Sequence, residues 1–202
     1  FVGLGASCVS GRRFAAGDGG MKRVFDIFLG CLAALILFVP VLLVAMAVRL
    51  TSKGPALYWS DRVGKNNRIF GMPKFRSMRV GTPAVATHLL ANPDAVLTPV
   101  GGFLRKTSLD ELPQLWSILK GDMSFVGPRP ALFNQEDLVM LRSEVGVDQL
   151  TPGLTGWAQV NGRDSVSVTE KVALDLEYLQ KRSFQLDLYI LWLTFLQIGR
   201  AH

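Results

Sequence analysis

The chain has 202 residues, with 22 Lys and Arg against 16 Asp and Glu, a net charge of +6 and 49% hydrophobic residues. Its isoelectric point is near 9.6 and its mean hydropathy is +0.29. The length suits one compact domain, with or without an appendage. A charged fraction of 19% excludes a disordered chain, and 20 Gly and 10 Pro without a period exclude a collagen-like one. Two cysteines, Cys8 and Cys31, make no disulfide scaffold, and two scattered histidines, His88 and His202, make no zinc site with them. Positive hydropathy with a basic isoelectric point directs attention to a membrane and an anionic partner.

Residues 1–20 are rich in Gly, Ala and Ser and read as a flexible leader, with Met21 as a plausible native start. The last residues, Ile198-Gly-Arg-Ala-His202, read as cut rather than finished. Residues 27–48 then form 22 positions without a charge. As a straight helix this run is about 33 Å long, enough to cross a bilayer core. Two features argue against a simple span. Pro40 removes a helix hydrogen bond and kinks the segment. Both flanks are basic: Lys22 and Arg23 precede the run, and residues 49–79 hold eight Lys/Arg against one acid, Asp61. The positive-inside bias places both flanks on one side, which a helix–break–helix hairpin satisfies and a span does not. The basic flanks would then also sit on anionic headgroups.

Residues 54–185 are ordinary globular sequence. Short β-like pieces fall at 56–59 and 68–72, and 84–98 reads as a loop broken by Asn92-Pro93 and Thr98-Pro99. Helices are expected over about 112–120, stopped by Gly121, over 135–145, and over 168–181, with Val172, Leu176 and Leu179 at helical spacing. Residues 186–198 form a second apolar stretch, too short to span. With Phe184, Tyr189, Trp192 and Phe195 it reads either as an interfacial helix or as a core-packed one. The expected class is α-rich α+β. It divides into a leader (1–20), a re-entrant membrane helix (21–50) and a catalytic domain with a membrane-interface C-terminal helix (51–202). No dinucleotide fingerprint or Walker loop occurs.

Chemistry concentrates at Asp110 and Glu111, adjacent carboxylates where a helix starts. Spacing alone reads Ser108-x-x-Glu111 as a capping box, with acids favoured in a first turn. A helix N-terminus is also an anion site, and Arg105 and Lys106 lie just upstream. Neighbouring cations would keep a carboxylate there ionised, able to attack phosphorus or to hold Mg²⁺. Arg129, between Pro128 and Pro130, is presented rigidly and suits bidentate phosphate binding, or stands in a solvated turn. Lys74 and Arg76 belong to the basic stretch. The Gly-rich run from Thr151 to Arg163 could approach a nucleotide closely, a weak signal by itself.

Together these strings resemble the bacterial sugar transferases, in the small monotopic phosphoglycosyl transferase form. The matching strings, in the family's order, are Lys74-Phe-Arg-Ser-Met78, Arg105-Lys-Thr-Ser-Leu-Asp-Glu-Leu-Pro-Gln114, Lys120-Gly-Asp-Met-Ser-Phe-Val-Gly-Pro-Arg-Pro130 and Pro152-Gly-Leu-Thr-Gly-Trp-Ala-Gln-Val-Asn-Gly-Arg163. The resemblance implies transfer of a sugar 1-phosphate from a UDP-sugar to polyprenol phosphate at the cytoplasmic face of the bacterial inner membrane. UMP leaves, Mg²⁺ is the cofactor, and a covalent phospho-sugar enzyme is the intermediate. Carried over, Asp110 would be the nucleophile and metal ligand, and Glu111 its partner. Lys74, Arg76, Arg105 and Arg129 would lie on the phosphate side, Asn161 and Arg163 on the nucleotide side, and Asp175 at an acidic active-site position. Pro40 would break the membrane helix. Membrane lipid is the implied surface, nucleic acid is no partner, and a homo-oligomer is left open. Val39 stands where many relatives have Ser, and Gly102 where an Arg is common. Large relatives carry membrane helices upstream that this chain lacks, which leaves a fragment of a large form open. The competing reading is a non-catalytic basic module bound to anionic lipid or to polysaccharide-assembly partners.

Overall fold

The computed structural model describes residues 18–83, 94–162 and 166–200. Residues 1–17 of the leader expected over 1–20, and most of the loop expected over 84–98, lie outside them, and residues 18–20 belong to a helix. The fold is mostly helical α+β, organised on one long apolar helix.

That helix, α1 (Asp18–Thr51), has 34 residues and contains Pro40. It begins three residues before Met21 and runs through Pro40 without the interruption expected there. A proline deprives one carbonyl, that of Ile36, of its partner, which bends a helix more often than it ends one. Among the described residues α1 is long and apolar enough to cross a membrane. Its two faces differ in what they touch. Leu29, Ala33, Leu37, Val41, Val44, Ala45 and Val48 recur at helical period and pack on the globular part. Phe28, Leu35, Phe38, Leu43, Met46 and Leu50 are exposed. Gly30 lets α1 approach α3 (Leu115–Lys120) closely, since a Cβ there would press into the Leu119 side chain.

Polar contacts fasten both ends of α1. Asp26, buried in an apolar setting, accepts the Phe125 N–H at 3.1 Å. Arg23 donates to the carbonyls of Ile118 and Leu119, both at 2.6 Å, and so satisfies the C-terminal turn of α3. Lys22 pairs with Asp187, which also accepts from the Tyr178 hydroxyl at 2.7 Å. At the other end Arg49 donates to the Gly54 carbonyl at 2.6 Å. Much of the flanking basic charge, expected on headgroups, is therefore engaged inside the protein. Lys53, Lys65, Arg68 and Arg79 remain exposed.

Strands β1 (Leu57–Val63) and β2 (Ile69–Phe75) form an antiparallel hairpin. Asn66 and Asn67 turn it with φ of 54° and 57°, a region Asn tolerates better than most residues. Then come α2 (Gly101–Lys106), a 3₁₀ helix (Leu109–Gln114) and α3, which stops at Gly121 with φ 102° as expected. Strand β3 (Ser124–Val126) pairs in parallel with β5 (Gly153–Thr155), and β4 (Ala131–Leu132) adds to β1, giving the order β2-β1-β4. These strands of two or three residues were not foreseen. Helices α4 (Glu136–Glu144) and α6 (Val168–Lys181) fall where periodicity predicts them, with a short α5 (Trp157–Asn161) between. Ser167 and Glu170 close a capping box on α6. In α7 (Phe184–Arg200), Ile190 and Asp187 are buried while Tyr189, Trp192 and Phe195 are exposed. Core packing and an outward apolar face thus coexist on α7. Phe184 meets Phe25 of α1 edge-on, with ring centroids 5.1 Å apart.

Candidate active site

The sequence Ser108-Leu-Asp-Glu turns sharply. Ser108 adopts φ 58°, ψ 16°, and its hydroxyl caps nothing, so the capping box expected there does not form. The Glu111 side chain goes elsewhere. Its Oε1 accepts from Lys74 Nζ at 3.1 Å and from Arg129 Nη2 at 2.6 Å. Lys74 comes from the end of β2, opposite Tyr58 in the hairpin register. Arg129 comes from the loop between β3 and β4. Sheet, 3₁₀ helix and proline loop thus converge on one carboxylate. Asp110, the preceding residue, is buried, and among the described residues no other side chain donates a hydrogen bond to it.

The two neighbours titrate in opposite directions. Burial alone would raise both. At Glu111 the charges and hydrogen bonds of Arg129 and Lys74 outweigh burial and bring it down to about 2. At Asp110 burial dominates, the Glu111 charge adds to it, and Lys74 and Arg105 only partly oppose, so its carboxyl lies above the usual range. Ionisation by neighbouring cations therefore describes Glu111, not Asp110. Lys74 is itself lowered by burial, against the pull of Glu111. Paired acids driven apart by their surroundings mark a site that divides labour between them.

The Gly-rich run does not open towards a ligand at its glycines. Gly127 N–H donates to Thr155 O and Gly153 N–H to Pro128 O, both at 2.9 Å. A Cβ on Gly127, Gly153 or Gly156 would collide with the backbone of the other segment. These glycines let β3 and β5 touch and thereby set the proline loop. A cavity of about 30 Å³, lined by Pro128, Pro130 and Arg142 among others, lies behind that loop; it is water-sized and no place for a nucleotide.

The remaining candidates separate. Arg105, in the last turn of α2, acts on Asp110 through its charge. Arg76 is buried and, instead of meeting the dyad, donates to Ser52 O at 2.9 Å, Ser52 Oγ at 2.6 Å and Lys53 O at 2.7 Å beyond the end of α1. Asn161 donates to Trp157 O at 2.8 Å within its own helix. Asp175 is buried against Arg142. Arg163 lies outside the described residues. Two arginines were overlooked. Arg62 donates to Pro130 O at 3.2 Å and Arg142 to Arg129 O at 2.9 Å. The available signal for Arg142 was its place four residues after Leu138 on the buried stripe of α4.

A family model described as bacterial sugar transferase matches residues 18–201. The chain belongs to the bacterial sugar transferase family. Among relatives of this sugar transferase is undecaprenyl-phosphate glucose phosphotransferase of Komagataeibacter xylinus, 40% identical over 184 residues, covering 86% of this chain and 35% of the relative. UDP-glucose:undecaprenyl-phosphate glucose-1-phosphate transferase of Escherichia coli is 40% identical over 182 residues, covering 86% of this chain and 39% of its own length. Exopolysaccharide production protein ExoY of Rhizobium meliloti is 41% identical over 195 residues, covering 87% of this chain and 84% of its own length. The chain thus spans between a third and two-fifths of the first two relatives, and most of the third.

Proposed function

We propose that this sugar transferase moves a sugar 1-phosphate from a UDP-sugar to undecaprenyl phosphate, with Asp110 as nucleophile. The observation that carries the role of Asp110 is the division of the dyad: Glu111 is held by Lys74 and Arg129, and Asp110 is left with no competing side-chain donor among the described residues. The named activities of the relatives supply the substrate class.

Asp110 attacks the β-phosphorus of the donor. The bond from that phosphorus to the bridging oxygen breaks, and its electron pair leaves with UMP. The product is an acyl phosphate on Asp110 that carries the sugar. An oxygen of undecaprenyl phosphate then attacks the same phosphorus and frees the Asp110 carboxylate. One anhydride replaces another at each step, so the obstacle is anion meeting anion rather than driving force. Arg129, Lys74 and Arg105 bring positive charge to that encounter. Glu111 holds Lys74 and Arg129 in place.

A Mg²⁺ ion fits the donor set. Among the described residues no group of three His, Cys, Asp or Glu could hold a metal by itself. Mg²⁺ commonly takes one or two carboxylates together with substrate phosphates. Glu111 is claimed by two cations, so Asp110 would be the protein ligand. When bound, the ion supplies charge neutralisation at the diphosphate.

The membrane arrangement follows the same logic. The two ends of α1 are fastened to one body, through Lys22, Arg23 and Asp26 at one end, and at the other through Val48, packed on Phe75 and Leu104, and Arg76, which donates to Ser52 and Lys53. A spanning helix would separate them. The outward apolar faces of α1 and α7 would instead enter one leaflet from the cytoplasmic side, bringing the dyad to headgroup height. The basic-module alternative is weakened, since Lys74, Arg76 and Arg62 are committed to protein partners, although Lys53, Lys65, Arg68 and Arg79 stay exposed.

UMP release from UDP-glucose, UDP-galactose and N-acetylated UDP-sugars, by protein in detergent with Mg²⁺ and undecaprenyl phosphate, tests the reading. Release with at least one donor is expected. Silence across the panel from folded protein would overturn it.

A further inference from the structure

The loop that presents Arg129 is anchored at a point remote from the dyad. Pro128 and Pro130 have no N–H, so this stretch is tied down chiefly through its carbonyls. All three are taken. Pro128 O accepts from Gly153 N–H at 2.9 Å, Arg129 O from Arg142 Nη1 at 2.9 Å and Pro130 O from Arg62 Nη1 at 3.2 Å. Arg142 is itself held. Its Nε and Nη2 both donate to Asp175 Oδ2, at 3.0 and 2.6 Å, and the two residues are 7% and 1% exposed. They stand on α4 and α6, which pack through Leu138 and Val172.

A buried ion pair is a poor source of stability, because desolvating two charges offsets most of their attraction. Geometry is what it supplies. A planar guanidinium fixed at two nitrogens presents its third in one place. We infer that Arg142, locked by Asp175, is a positioning residue for sugar-phosphate transfer. It fixes the Arg129 backbone so that the Arg129 side chain reaches Glu111 and the donor diphosphate together. Asp175 then acts two contacts away from the chemistry, through Arg142, and touches no substrate. The inference rests on the transferase reading above.

The test uses the full chain in nanodiscs. Arg142→Lys keeps a cation beside Asp175 but has no second arm for Arg129 O. A loss of roughly 10–100-fold in kcat/KM for UMP release is expected, the scale on which small misplacements of catalytic groups act. Asp175→Asn, which keeps an oxygen acceptor, should show the same loss. On an Arg129→Met background Arg142→Lys should add nothing, because its effect passes through Arg129. Independent, multiplying losses in the double variant would overturn the inference, and so would wild-type kinetics in Arg142→Lys. If the wild-type chain released no UMP from any donor, the transferase reading would fall separately. Hydrogen exchange over residues 124–132 would then decide the anchor: faster exchange in Arg142→Lys supports it, and unchanged exchange overturns it.

Discussion

At Glu111 burial and ion pairing oppose each other, and pairing wins. Its folded pKa of about 2 lies below the ordinary 4.5. A depressed carboxylate stabilises the fold above its unfolded pKa and loses that contribution as pH falls through its folded one. The window here runs from about 4.5 down to about 2, with an upper bound on the order of 3 kcal/mol. Acid titration of thermal stability should therefore show a drop over that window that Glu111→Gln lacks. Asp110 has the opposite sign. Its raised pKa means that stability falls as pH rises from 3.8 towards the folded value, so the ionised group strains the fold at pH 7. Asp110→Asn should abolish UMP release while leaving the melting temperature at pH 7 unchanged or higher; a lower one would contradict the assignment of Asp110 as a destabilised group. The dyad was legible as a pair in the sequence, but not its division. Ser108-x-x-Glu111 carries the pattern of a capping box, and only the arrival of Lys74 and Arg129, 37 and 18 residues away, draws Glu111 elsewhere. The same pattern at Ser167-x-x-Glu170 meets no such competitor, and there the box forms.

The elements that position the site are the least periodic ones. Helices α4 and α6 announce themselves through apolar spacing, whereas β3, β4 and β5 are too short for alternation to register. Their pairing depends on glycines whose role is contact between backbones. Gly127→Ala or Gly153→Ala should destabilise the protein by about 1–3 kcal/mol or more, as overpacking does, because the Cβ meets main chain that cannot step aside. Gly102→Ala is the control. Gly102 lies in helix α2, where its Cβ would make ordinary contact with Leu97, so the change should be neutral or stabilising by up to about 1 kcal/mol. Thermal melts of the three variants check this. The proline loop needs such rigidity. Arg129 spans from an anchored backbone to Glu111, so slack at β3–β5 would be slack at Glu111.

For the whole molecule, charge and hydropathy pointed to a membrane, and the structure gives several of the same basic residues protein partners instead of lipid. The basic flanks of α1 were read as headgroup contacts, and several of them turn out to fasten the helix to the protein: Lys22 to Asp187, Arg23 to α3, and Arg76 to Ser52 and Lys53 just beyond it. Sequence spacing cannot tell a lysine on lipid from a lysine on an aspartate 165 residues away. The consequence for topology is the same in either case. Cysteine labels at Gly20 and Lys53, in a background without Cys8 and Cys31, should both react from the cytoplasmic side; labelling from opposite sides would contradict the monotopic arrangement. Same-side labelling would support the proposal that the apolar faces of α1 and α7 make one membrane surface beneath the dyad.

The most direct test of the central claim is to mix the protein with a UDP-sugar and Mg²⁺ without undecaprenyl phosphate, quench in acid and map the peptides by mass. The account predicts a burst of UMP stoichiometric with enzyme and a sugar-phosphate mass increase on the peptide containing Asp110, absent from Asp110→Asn. UMP release that requires the lipid acceptor, with no adduct on Asp110, would contradict it.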